Sequence, residues 1–127
     1  MDLEIFGQHY PMAYTVAAQS KIAERFGGIE KIETAFSDED AAKIMENVAF
    51  IAAALVQGAA DRECVRCKVM GQPIPTMPTL SFEEICAALD FEDMKKVSKA
   101  VMDTMREGSK VTVEVEPKRG KNAVATL

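Results

Sequence analysis

Apolar residues recur at Ala41, Ile44, Val48, Ile51 and Leu55 with the spacing of one helix face, and Met45, Ala49, Ala52, Val56 and Ala59 widen that stripe. From Val48 to Val56 all nine residues are apolar, so no side of the helix is left for water. Such a helix is either central to a core or shares half its surface with another chain. Ser37 is placed to cap it, with Asp38, Glu39 and Asp40 facing the positive end of the helix dipole. The nine-residue run falls well short of the roughly 20 residues a membrane span requires.

Shorter elements flank this helix. Leu3 and Ile5 alternate with acids, Tyr10, Met12 and Tyr14 recur at every second position, and together they predict two strands, near 3–6 and 9–14, around Gly7-Gln8. Pro11 assigns the second to an edge. Thr15 predicts the cap of a helix over Val16–Phe26, stopped by Gly27-Gly28, and Ile29–Phe36 predicts a second short helix. After Gly58 the helical pattern fades, and 61–79, with three prolines and a glycine, reads as a long loop. Ser81-Phe82-Glu83-Glu84 is a capping box opening a helix through Leu89. Asp90 caps another, with Met94, Val97, Val101 and Met105 on its apolar face and Gly108 closing it. Val111, Val113 and Val115 alternate with polar residues and predict a strand over 110–116, ended by Pro117. The expected fold is mainly α (α+β): a compact domain over 1–116 of about five helices, with an N-terminal strand pair and a C-terminal strand, followed by a flexible basic tail over 117–127.

Charge narrows the partners. Residues 1–116 carry all 20 acidic side chains and a net charge of −8, while Lys118, Arg119 and Lys121 give the tail +3. An acidic body repels phosphate backbones, so nucleic acid is not an expected partner. No stretch has the pattern of a secretory signal, and three cysteines suit a reducing cytoplasm. Eight methionines bring flexible apolar side chains, and Met12, Met45, Met70, Met77, Met94, Met102 and Met105 could form an adaptable surface.

Candidate chemistry is sparse. Cys64-x-x-Cys67 could hold one side of a tetrahedral zinc, but Cys86 and His9 are the only further soft ligands and neither sits at ligand spacing. The pair lacks the strand-and-helix-start context of a redox motif, so ordinary thiols are the simplest reading. Gly27-Gly28 lacks the third glycine of a dinucleotide loop. The acidic runs at 38–40 and 90–93 are explained by helix capping. No catalytic residue and no cofactor is expected.

The order of elements resembles the tail assembly chaperones of long-tailed bacteriophages and prophages. The matching positions are Phe26-Gly27-Gly28-Ile29-Glu30, where one helix closes before a second short one, then Ala49–Leu55, then Ser81–Ile85. The likeness covers about residues 3–106 and leaves out the cysteine pair and the valine-rich segment after Gly108. It implies a non-enzymatic protein of the bacterial host cytoplasm that binds the tape-measure protein, recruits tail tube protein and self-associates. It further implies a longer product made by a −1 ribosomal frameshift, which Gly120-Lys121-Asn122 permits through the codons GGA-AAA-AAC. Homo-oligomer contacts are expected among Phe50, Ile51, Leu55 and Val56, because a small domain must otherwise cover the nine-residue run on every side. The alternatives are a dimerising regulatory or adaptor module and a small cysteine-based zinc module.

Overall fold

The computed structural model describes residues 2–37 and 39–114, with side chains described through Gly108. The described residues are 70% helical and form five helices and one two-stranded antiparallel sheet, a mainly α compact domain as the sequence leads one to expect. The tail at 117–127 lies outside the described residues.

The strands β1 (Asp2–Ile5) and β2 (Gln8–Pro11) form a hairpin in which Leu3 faces Tyr10 and Ile5 faces Gln8. The loop is Phe6-Gly7, one residue earlier than the turn read from the sequence, and both residues have positive φ (52° and 81°). A two-residue hairpin loop needs this geometry because its twist matches that of the strands. Leu3 and Ile5 point into the core, and Glu4 and His9 into solvent.

Helix α1 (Val16–Phe26) starts at Thr15, whose hydroxyl accepts the Ala18 N–H at 3.1 Å. It stops at Gly27, in the left-handed region, where the N–H groups of Gly27 and Gly28 both return to the Ala23 carbonyl. A 3₁₀ helix over Ile29–Phe36 follows. The long helix α2 runs from Ala41 to Met70, 30 residues and about 45 Å. Its cap is Asp40 rather than Ser37: Asp40 Oδ1 accepts the Ala42 N–H at 3.0 Å. Ser37 instead closes the 3₁₀ helix, its N–H donating to Thr34 O. Helix α3 (Phe82–Ala88) opens on the expected capping box of Ser81 and Glu84.

The last helix, α4 (Phe91–Glu114), corrects the sequence reading at its end. Residues 110–114 continue the helix instead of forming a strand, and Gly108 lies inside it. β-propensity reflects packing on a neighbouring strand, and without one, adding a residue to an existing helix wins. At the other end Asp90 Oδ1 accepts the Asp93 N–H at 2.8 Å, and Asp93 Oδ2 accepts the Asp90 N–H at 3.2 Å.

Helix α2 is the axis of the core and packs against α1, the 3₁₀ helix, α3, α4 and β2. Val48, Ile51, Leu55 and Val56 are 0–1% exposed and meet Ile22, Ile85, Val97 and Val101 from the surrounding helices. Burying each such side chain contributes about 1.5–3 kcal/mol. Among the described residues α2 is the one helix long and apolar enough to cross a membrane, but 56% of its apolar window is buried within the chain. Its place in the core accounts for its composition. Asn47, the one buried amide on α2, donates to the Ala35 carbonyl at 3.1 Å and ties the end of the 3₁₀ helix to the core.

Three carboxylates, Asp90 on the surface and the half-buried Asp103 and Glu63, are held below their ordinary pKa. The Asp93 backbone N–H does this to Asp90, the Lys99 and Arg106 hydrogen bonds to Asp103, and the Arg66 hydrogen bond to Glu63. A carboxyl depressed in the folded state binds fewer protons there than in the unfolded chain. Its contribution is therefore complete above the unfolded value of about 4 and is lost as pH falls through the lower folded value. We expect the melting temperature to be flat near neutrality and to fall below about pH 4. Asp90→Ala should flatten that acid limb while lowering the neutral plateau by loss of the cap, both read from melts across a pH series.

Candidate partner-binding surface

Beyond Val56 helix α2 leaves its all-apolar stretch but does not end. Good helix formers carry it on, and local pairs reinforce it. Gln57 Nε2 donates to Asp61 at 2.9 Å, and Arg66 grips Glu63 with both ends of its guanidinium, Nε to Oε1 at 3.0 Å and Nη2 to Oε2 at 2.6 Å. The helix stops at Gly71 (φ 73°), where the Gln72 N–H returns to Cys67 O at 2.8 Å. Residues 61–70, read from the sequence as loop, are thus the last turns of the longest helix.

One side of this extension is covered by the returning chain. The Cys64 thiol donates to Pro75 O at 3.5 Å, and Pro75 and Met77 line a cleft of about 420 Å³ with Met12, Ala59 and Arg62. The other side is open. Val65 and Val69, one turn apart on the same face, are 58% and 78% exposed, and Met70 and Ile74 are also well exposed. Valines are poor choices for a solvated helix face, on both propensity and hydration grounds. Two of them at i and i+4 on a helix end otherwise rich in charge mark a face suited to contact with another molecule. That spacing was visible in the sequence, but the loop assignment for 61–79 hid it.

The contacts expected from the apolar run are placed differently. Ile51, Leu55 and Val56 lie inside the single-chain core and present no surface to another copy. Phe50 is half-buried: the Arg25 guanidinium sits 4.5 Å from its ring centroid and 5.6 Å from that of Phe82, and the two rings meet edge-on at 6.3 Å. This cluster of Arg25, Phe50 and Phe82 pins α1 and α3 onto α2. Of the expected oligomer contacts, Ile51, Leu55 and Val56 are therefore core positions of the single chain, because five elements surround α2, while Phe50 is only half-buried. The methionines divide as well: Met12 and Met94 are core, while Met70 and Met102 are exposed.

The cysteines lie one turn apart near the C-terminal, negative end of α2. Cys67 is buried and its thiol donates to Glu63 Oε2 at 3.5 Å; burial first, and then the Glu63 hydrogen bond, push its pKa up. Burial likewise raises the Cys86 thiol. Neither is an activated nucleophile. Among the described residues no three His, Cys, Asp or Glu side chains converge as metal ligands. His9 sits exposed on β2, 3.5 Å from Asp2.

No family model, no curated protein and no solved structure matches the chain.

Proposed function

We propose that the chain is a non-enzymatic tail assembly chaperone of a long-tailed bacteriophage or prophage. It acts in the bacterial host cytoplasm, binds the tape-measure protein and promotes assembly of tail tube protein around it. The observation that supports this reading is the Val65–Val69 face. It sits on the far turns of a helix whose other half is locked in the core, so it is held rigidly and needs no ordering on contact. An apolar helix face is suited to a long apolar helical partner, and the adjacent exposed Met70 adds adaptability to a sequence that varies along its length.

The test is to look beside this gene for a tape-measure gene, co-express its product with the chain and measure the affinity. The double substitution Val65→Asp/Val69→Asp is expected to weaken the complex by a factor of ten or more, about 1.4 kcal/mol, while the melting temperature falls only by the small amount that two acids near the negative end of α2 cost. A neighbourhood without a tape-measure gene, or an unaltered complex, would refute the reading. If the double variant instead changed the oligomeric state of the chain alone, a dimerising adaptor would be the better description.

A further inference from the structure

The hairpin has two backbone edges, and they are not equivalent. With the loop at Phe6-Gly7, Ile5–Gln8 is the hydrogen-bonded pair that closes the ladder, and Leu3–Tyr10 is the next. Asp2–Pro11 and Glu4–His9 are then the non-hydrogen-bonded pairs, whose N–H and C=O groups point away from the partner strand. On β2 that outward row contains Pro11, which has no N–H and blunts the edge. On β1 it contains Glu4, whose outward backbone groups meet no hydrogen-bond partner among the described residues.

Helix α4 runs beside this open edge. Residues Asp2–Gly7 on one side, and Leu89 with the α4 face bearing Asp93, Lys96 and Ala100 on the other, line a cleft of about 510 Å³. Every residue of β1 borders the cleft whichever way its side chain points, so the cleft follows the strand's edge. The helix wall rises about 10 Å between Asp93 and Ala100, the length of about three extended residues. Its charged lining is Asp2, Glu4 and Asp93 against Lys96, an excess of acid.

Phe6 stands at the end of this cleft with φ 52° and 85% of its surface exposed. The hairpin alone would favour asparagine or aspartate there, and a bulky residue in the left-handed region costs about 1–2 kcal/mol. An exposed ring gives nothing back in burial. A residue that is unfavourable for folding in two ways, beside an open strand edge, is one suited to contact.

We propose that the β1 edge takes an extended segment of another polypeptide as a third strand, lying along β1 in the cleft that α4 borders and in contact with the Phe6 ring. Backbone hydrogen bonds to Glu4 would supply the pairing. Alternating β-branched residues suit the pleat, and lysine or arginine in the segment would meet Asp2, Glu4 and Asp93. A helical partner cannot use this edge, since its own backbone groups are already paired. The site goes beyond the chaperone reading and shares no residue with the Val65–Val69 face.

The test needs no tape-measure protein, so its outcome is independent of that reading. The full chain, labelled with nitrogen-15, is titrated with the acetylated and amidated hexapeptide Lys-Val-Thr-Val-Lys-Val. Amide signals of residues 2–7 should shift, and hydrogen exchange at Glu4 should slow by about tenfold or more at saturation. Methylating alternate backbone nitrogens of the peptide, in either register, should abolish the shifts in one of the two. Replacing its lysines by glutamates should weaken binding about fivefold or more. Glu4→Pro should abolish binding, and because proline could also disturb the hairpin, Phe6→Asn is the second variant. It should raise the melting temperature by relieving the turn, yet weaken the peptide. Shifts confined to other parts of the chain, full binding by both methylated peptides, or undiminished binding by Phe6→Asn would overturn the proposal.

Discussion

Leu55→Ala is expected to lower the free energy of unfolding by about 2–5 kcal/mol, without changing the oligomeric state of the protein that remains folded. Leu55 is 0% exposed, at the point on α2 where the elements around it converge. Its truncation removes three carbons and leaves a cavity that surrounding backbone can collapse into only in part. A domain of this size has about 5–15 kcal/mol of stability in all, so the loss is a large fraction of the total. Denaturant midpoints measure it directly, and light scattering of the same samples decides its meaning. If Leu55 lay at an interface between copies, the substitution would dissociate an oligomer and leave the monomer's own stability nearly intact. Phe50→Ala makes the contrast useful. Phe50 is only half-buried, but it carries the Arg25 and Phe82 contacts, so its loss should loosen α1 and α3 from α2 and also lower the midpoint.

What could be read from the sequence was what local chemistry determines. Thr15, the Ser81–Glu84 box and Asp90 each act on backbone groups within a few residues, and all three cap the helices expected of them. The Gly27-Gly28 stop follows from the left-handed conformation that glycine tolerates. Periodicity likewise identified Leu3, Ile22, Val48, Ile51 and Val101 as facing apolar surroundings. It could not say whose surroundings: an apolar run looks the same whether this chain or a second one covers it. Val111, Val113 and Val115 alternate as a strand would, but alternation becomes a strand only where another strand can pair with it, and residues 110–114 extend a helix already 19 residues long. The prolines at 73, 75 and 78 coloured the whole window before them, though the helix stop is Gly71. The open face of α2 was lost with that window, and the open edge of β1 depends on a turn register that one residue decides.

Gly58, after which the helical pattern fades in the sequence, and Gly108, read there as a helix end, give the clearest case, and a prediction whose sign separates the readings. Gly58 and Gly108 both lie inside helices. The segment joining β2 to α1 crosses α2 at Gly58 and touches α4 at Gly108. Its Ala13 N–H donates to the Leu55 carbonyl at 3.0 Å, a close approach of extended backbone to the middle of a helix. A Cβ at position 58 would stand 2.7 Å from the Ala13 carbonyl oxygen, 3.0 Å from Thr15 Oγ1 and 3.3 Å from the Ala18 Cβ. None of these is the loose end of a long side chain, so relief requires moving the segment. That movement strains the Ala13–Leu55 bond and the Thr15 cap of α1. If Gly58 were a tolerated breaker, Gly58→Ala would gain about 1 kcal/mol of helix propensity. With the crossing segment in place, overpacking and a weakened cap outweigh that gain, and we expect a net loss of about 1–3 kcal/mol. Gly108→Ala should lose stability for the same reason, its Cβ falling 2.6 Å from the Tyr14 Cβ. Gly71→Ala is the control: nothing lies within 4 Å of its Cβ, so only the cost of a left-handed alanine, about 1 kcal/mol, is expected. Melting curves of the three variants should therefore all fall below the parent, and a Gly58→Ala protein more stable than the parent would show that the segment does not cross α2 there.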